Sequence, residues 1–271
     1  MRVRILGTAA SEGWPGVWCG CSTCRRAREI GGKNLRSRAS ILVDDLHRVD
    51  LPPDLYCQMV RNGLDLSGMK YLFFTHTHDD HFAVDQLQYV VPPFAYSRVN
   101  EPLEVFGNSS VIRRVREALG DMSDYPMELR QVRPFEPVEA GGITFTPIPA
   151  PHKADEVSLN YVIASDGSAF LYACDTGFYE RETWEFLSSV RLDCVVTECT
   201  YGFVEPAPGH LCFSEVLEMK DVLLSSGSLR DDGRVIMTHF SHNVGMVHEE
   251  IERAAAPHGV EVAFDGMEIV I

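Results

Sequence analysis

The sequence predicts an α/β layered fold in which helices cover two sheets. Three observations carry this. Short β-branched and aromatic runs recur and end in turn residues. Amphipathic helical segments lie between some of them, mostly in the later part. Polar motifs sit where apolar runs stop, as expected of strands that empty into functional loops. The strand candidates, in order, are "RVRIL", "SILV", "YLFFT", "LEVF", "ITFTPI", "LNYVIA", "AFLYA", "CVVT", "RVIMT" and "VEVAF". The clearest helix is "SSVIRRVREALG", with a serine start and a glycine stop. "ERETWEFLSSV", "SEVLEMKDVLLSS" and "VGMVHEEIERAAA" follow the same pattern. No repeat, low-complexity segment or linker interrupts the chain, so one domain over 1–271 is expected.

Composition narrows the function classes. Hydrophobic residues make up 45% and charged residues 23% of 271, which suits a chain with a full core. No apolar run approaches the roughly 20 residues that span a bilayer. "MRVRILGTAASEGW" reads as a first strand rather than a signal peptide, so a cytoplasmic protein without a membrane partner is expected. The net charge is −15, with Asp+Glu 39 against Lys+Arg 24. That balance argues against long nucleic acid, whose phosphates attract basic surfaces. It leaves room for a small anionic substrate held at metal ions. Of eight cysteines, Cys19, Cys21 and Cys24 cluster, and such a cluster reads as metal-binding before disulfide. Cys57, Cys174, Cys194, Cys199 and Cys212 are scattered and read mostly as small core residues.

"FFTHTHDDHF", residues 73–82, concentrates three of the ten histidines. His76 and His78 alternate, so an extended segment points both to one side. Asp80 and His81 follow in a turn. The run can therefore feed two neighbouring ions. His152, Asp175 and His239 stand at other strand ends and complete the set: His152 with the first ion, His239 with the second, Asp175 bridging. An open position remains for water, as a catalytic site requires. Two such ions acidify a shared water and clamp the oxygens of a displacement at carbon or phosphorus.

These motifs resemble the metallo-β-lactamase superfamily, whose signature is a His-x-His-x-Asp-His loop. "APH" at 150–152, "CDT" at 174–176 and "THFSH" at 238–242 fall in the expected order. The resemblance implies a four-layer αββα sandwich with a dinuclear site along one edge of the sheets. Fold alone does not settle the reaction. The cysteine-rich loop 18–29, "WCGCSTCRRARE", brings three thiolates to one tetrahedral ion, and His242 is the candidate fourth ligand. Soft thiolates favour zinc, and a closed site would be structural.

This second feature is similar to the PhnP group, cyclic phosphodiesterases of the carbon–phosphorus lyase pathway. The resemblance implies two catalytic divalent metals, one structural zinc, and a small, cyclic phosphodiester as substrate; the nitrogen and oxygen ligands themselves admit zinc, manganese, iron or nickel at the catalytic pair. It also matches His210, in "APGHLCFSE", to a histidine near the active site. Asp80 and His210 are thus the catalytic candidates, with His210 protonating or stabilising the leaving alkoxide. Where many members carry an aspartate-glycine turn, this chain reads Asp50-Leu-Pro-Pro, and Asp50 is expected to orient a ligand loop from behind. Lys153 is read as a surface lysine ahead of a phosphate contact. His47 and His258 fall in turn-like contexts and His248 in a helix of mixed charge, all without a functional role.

Two other functions stay open: a thioester or lactone hydrolase on the same site, and a non-catalytic carrier as in the pyrroloquinoline quinone biosynthesis branch. The tRNA-processing branch is disfavoured by the acidic charge and the lack of a basic arm. "VVPPFAY", 90–96, reads as a pocket wall or a homodimer surface, with packing inside the monomer as the default.

Overall fold

The ten apolar runs fold as strands, and four further strands complete two mixed sheets in the computed structural model, which describes residues 1–96, 102–204 and 208–271. β1 (Arg2–Gly7), β2 (Ser40–Val43), β3 (His47–Val49), β4 (Tyr71–Phe73), β5 (Leu103–Gly107) and β6 (Met127–Gln131) form the first sheet in that order. β7 (Val138–Ala140), β8 (Ile143–Ala150), β9 (Ser158–Ser165), β10 (Ser168–Ala173), β11 (Leu192–Glu198), β12 (Leu229–Thr238) and β13 (Glu261–Val262) form the second. β14 (Met267–Val270) returns to pair antiparallel with β1. Each sheet is antiparallel in its first half and parallel in its second: β3 to β6 run together, as do β10 to β13.

Alternation along these strands produces three apolar layers. Phe73, Phe106, Phe145, Tyr161, Phe170 and Ile236 meet between the sheets. Leu72, Phe74 and Val105 point the other way, onto α3 (Ser109–Leu119) through Val111 and Val115. Leu171, Val195 and Met237 face α4 (Arg181–Leu187), α5 (Phe213–Ser225) and α6 (His248–Ala255). The result is the αββα sandwich expected. Among the described residues, no helix is long and apolar enough to cross a membrane.

Several expectations are corrected. The second half of the cysteine-rich loop is helical: α1 (Ser22–Ile30) begins there, with the Cys21 thiol accepting from Cys24 N–H as its cap. A further helix, α2 (Leu55–Asn62), follows the Leu-Pro-Pro turn. α3 is capped by the Asn108 side chain, which accepts from Val111 N–H at 2.9 Å, one residue before the serine start. His47 lies in β3, not a turn; its ring is buried, stacks on Tyr71 and donates to Ala140 O at 2.8 Å. His248 is likewise buried, with Nδ1 2.8 Å from the Arg36 guanidinium. The 90–96 run does not pack wholly inside the monomer, since Phe94 is 62% and Tyr96 72% exposed. Cys57 is exposed, whereas the other scattered cysteines are buried.

Phe145 joins the two sheets by stacking on Phe73 at 3.8 Å between ring centroids. Phe145→Ala is expected to destabilise the fold by about 3–5 kcal/mol through the cavity it leaves, measured as a shift in the denaturant midpoint. A loss below about 1 kcal/mol would mean the sheets can collapse onto the gap.

Candidate metal centre and its cavity

Residues of the site leave the ends of β3, β4, β8, β10, β11 and β12 on one side of the sandwich. Three of them turn the chain sharply. Asp50, Asp175 and His239 take left-handed backbone angles, with φ of 65°, 55° and 54°. Non-glycine residues seldom adopt this region, and such outliers gather at functional sites. Here the turn swings each side chain from the strand direction into the gap between the sheets' ends.

The structure brings together every candidate ligand read from the sequence. In the first cluster, His78 Nδ1 lies 2.9 Å from both His76 Nε2 and His152 Nε2. Asp175 Oδ2 stands 3.4 Å from His76 Nε2 and 3.3 Å from His152 Nε2. In the second, His81 Nε2 lies 3.4 Å from His239 Nε2, 3.1 Å from Asp175 Oδ2 and 3.4 Å from Asp80 Oδ2. His239 Nε2 is 2.8 Å from Asp175 Oδ1, so Asp175 serves both clusters. Nitrogen and oxygen ligands of a tetrahedral ion stand about 3.4 Å apart, which is near this spacing. Asp175 Oδ1 is buried and, although 2.8 Å from His239 Nε2, makes no well-aligned hydrogen bond, as expected where both atoms face a cation.

Two buried carboxylates orient the rings from behind. Asp50 accepts from Thr75 N–H at 2.8 Å, from Thr75 Oγ1 and, at 2.7 Å, from His81 Nδ1–H. Because the Thr75 hydroxyl donates to Asp50, it accepts from His76 Nδ1–H at 2.9 Å. Glu198 repeats the scheme on the second sheet. It accepts from Thr200 Oγ1 at 2.6 Å, and that hydroxyl accepts from His239 Nδ1–H at 2.9 Å. Glu198 also takes His210 Nδ1–H at 3.0 Å. His152 Nδ1–H donates to Gly209 O at 2.9 Å. Gly209 has φ of 89° and faces the backbone of His152, where a side chain would be strained. With Nδ1 thus occupied, His76, His81, His152 and His239 turn Nε2 inward.

The electrostatics call for cations. Burial and the facing His81 hold His76 well below the usual histidine range, as a neutral ligand. Burial opposes the charge on Asp175, yet His239 and His81 keep it well below the usual carboxylate range. Burial also opposes protonation of His81 and His239, but the carboxylates around them, Asp175 foremost with Asp80, and Asp50 for His81, together draw both rings upward, His239 to about 10. The carboxylates therefore demand positive charge, which a divalent ion could supply in place of protons. Cys174 also points here, its thiol grouped with His81, Asp175 and His239. Burial pushes that thiol well above its usual range, whereas the Asp80 carboxylate, 3.4 Å from His81 Nε2, offers a ready anionic oxygen to the same cluster.

A third cluster holds Cys19, Cys21, Cys24 and His242, their ligand atoms all within 4.8 Å of one another. His242 Nδ1 lies 3.8 Å from Cys19 Sγ and 3.6 Å from Cys21 Sγ. A tetrahedral zinc with sulfur and nitrogen ligands places them about 3.6 Å apart. The Cys24 backbone N–H holds the Cys21 thiol down to about 6, ready to ligate, whereas burial pushes Cys24 up to about 12.

His210 lines the cavity in front of the first two clusters, its ring centroid 4.8 Å from that of His152. The preceding residues 205–207, part of "EPAPG", lie outside the described residues. Burial opposes its charge, but Glu198 raises its pKa. The cavity holds about 540 Å³ and is also lined by Glu12, Arg38, Tyr201 and Asn243. Lys153 is neither a free surface lysine nor a cavity residue. It contacts Thr77 Oγ1 at 3.0 Å and Glu156 at 2.9 Å, and Glu156 accepts from Thr77 N–H, bracing the histidine loop. Sequence reasoning missed Glu198, Thr75, Thr200 and Glu156. Glu198 had a signal, since "CVVT" runs straight into it as other strands run into ligands.

Residues 49–240 match the family described as the beta-lactamase superfamily domain. An octanoyltransferase of Porphyromonas gingivalis is 26% identical over 281 aligned positions covering 100% of this chain. The chain spans about half the length of that relative, 52%. A diphosphatase from the PhnP family superposes with a TM-score of 0.77 at 22% identity, covering 100% of this chain and 97% of its own. Zinc-bound PqqB from Methylobacterium extorquens gives a TM-score of 0.77 at 18% identity, covering 100% of both chains. At these identities the two structures are similar in fold.

Asp50→Asn keeps a residue type that tolerates the left-handed backbone and removes the charge behind His81. It is expected to weaken divalent-metal affinity about 10–100-fold, measured by chelator competition on folded protein. Unchanged affinity would reduce Asp50 to a packing role. Cys21→Ser is expected to release one zinc and lower the melting temperature while metal at the histidine clusters remains, which metal analysis resolves.

Proposed function

The chain belongs to the metallo-β-lactamase superfamily, and from that premise we propose that it is a metal-dependent hydrolase that opens a small, cyclic phosphodiester. The observation that carries this reading is His210, held by buried Glu198 at 3.0 Å and set on the cavity beside the paired clusters. His76, His78, His152 and Asp175 would hold one divalent cation, and Asp80, His81, His239 and Asp175 the other. Bound there, two such ions supply Lewis-acid polarisation of phosphoryl oxygens and an acidified water. Asp80 stays ionised in this role, since His81 and His239 outweigh its burial and hold its pKa well below the usual range.

The chain's own part is orientation and a proton. Glu198 occupies His210 Nδ1 and favours the protonated ring, leaving Nε2–H as its remaining donor toward the cavity. An alkoxide expelled from phosphorus needs such a proton. A thioester hydrolase needs it less, because a thiolate is a better leaving group; a lactone also expels an alkoxide, so direct comparison of substrates separates it from the diester. Cys19, Cys21, Cys24 and His242 would hold a structural zinc that ties the N-terminal loop to the segment after β12.

The test compares 2′,3′-cyclic nucleotides, bis-p-nitrophenyl phosphate, a thioester and a lactone. Diester turnover is expected, and Asp80→Ala should abolish it. His210→Ala is expected to lower kcat on the cyclic nucleotide by about 10²–10⁴. It should spare bis-p-nitrophenyl phosphate, whose leaving group needs no proton. Equal losses on both would remove His210 as the acid. Turnover of the thioester or lactone alone would replace the substrate class, and no turnover at all would favour a carrier.

A further inference from the structure

The cavity in front of the paired clusters continues into a second one of about 640 Å³, and the two share Ser11, Glu12 and Arg38. The second is walled by the turn that carries Val17 and Trp18. Trp18 is 98% exposed, whereas Trp14 is buried. A bare indole forgoes much of the burial that stabilises such a ring elsewhere. The turn beneath it is nevertheless firmly held. Arg28 donates to Gly16 O and to Cys19 O, both at 3.0 Å, and Cys19 belongs to the thiol cluster with His242. The indole is thus a flat apolar face on a fixed support beside the reaction cavity.

The junction of the two cavities adds polar groups of both kinds. Arg38 donates from Nη1 to Asp54 and from Nε to Ser11 O, which leaves Nη2 without a hydrogen-bond partner among the described residues. Glu12 accepts from the Ser241 hydroxyl and from His242 N–H through Oε1, which leaves Oε2 as an acceptor. A stacking face, a cationic donor and a carboxylate acceptor, next to the cavity of the paired clusters, are what a nucleotide offers partners for: a planar base, a phosphoryl oxygen and ribose hydroxyls.

We propose, resting on the phosphodiesterase reading above, that the second cavity is a nucleobase subsite in which Trp18 stacks the base of a nucleoside phosphodiester, while Arg38 and Glu12 meet its phosphoryl and ribose oxygens. The substrate class is then nucleoside diesters rather than base-free sugar or glycerol phosphates. Stacking tolerates any base, so discrimination among bases is weak. The thiol cluster acquires a second use, since it holds the turn that presents Trp18.

The metal-loaded protein is titrated with AMP and with ribose 5-phosphate, following tryptophan fluorescence and calorimetric affinity, for wild type, Trp18→Ala and Trp18→Phe. AMP should quench wild type saturably, and ribose 5-phosphate should not. Trp18→Ala should weaken AMP about 5- to 100-fold, leave ribose 5-phosphate unchanged, and be largely rescued by Trp18→Phe. In turnover, kcat/KM should fall by a similar factor for adenosine 2′,3′-cyclic phosphate and stay constant for glycerol 1,2-cyclic phosphate. Equal effects on ligands with and without a base, or none on AMP, would overturn the subsite while leaving diester hydrolysis intact. Base-dependent AMP binding without turnover of any diester would uphold the subsite and sink the phosphodiesterase reading instead.

Discussion

Four carboxylates buried at one end of the sandwich dictate the rest of the site. Asp50 and Glu198 are fully buried, Asp175 nearly so, and Asp80 largely. Burying that much negative charge in a layered apolar fold is costly unless each group finds hydrogen bonds and positive charge. The hydrogen bonds come from threonines and imidazoles placed by the strand ends. Asp50 serves His81 directly and His76 through Thr75, while Glu198 serves His210 directly and His239 through Thr200. Each sheet thus contributes one carboxylate that orients two rings. Asp175, between the two sets and with one oxygen lacking a hydrogen bond, is where the remaining positive charge belongs.

This constraint explains the strained strand ends. A strand continuing straight from β3, β10 or β12 would carry its next side chain past the gap between the sheets. The left-handed angles at Asp50, Asp175 and His239 turn the chain there instead. Such conformations cost of order 1–3 kcal/mol each and persist where the surroundings fix them. Backbone bonds do so here: Asp50 N–H donates to Phe73 O and Cys199 N–H to Thr238 O, locking the turns to neighbouring strands.

Much of this was legible in the sequence, and the remainder was hidden for identifiable reasons. Long β-branched runs such as "LNYVIA" announce strands because both faces are buried. "MELRQ" and "HRV" do not: β6 is largely exposed at a sheet edge, and β3 hides an arginine and a histidine in the core. The ligands were legible because histidine is rare and clusters. Glu198 and Thr75 were not, since a glutamate or threonine is common and only three-dimensional contact reveals that it grips an imidazole. Cys174, read as core, is buried as expected yet lies against the second cluster, a proximity that no spacing in the chain encodes. The helix after Cys21 was masked by the cysteines themselves, which drew the segment into a loop reading.

The measurement that bears most directly on this account is metal content of the purified protein combined with anomalous diffraction at the metal edges. The account predicts about three divalent ions per chain, two flanking Asp175 and one among Cys19, Cys21, Cys24 and His242. A single ion confined to the cysteine cluster, with the buried carboxylates paired only to protonated histidines, would contradict it.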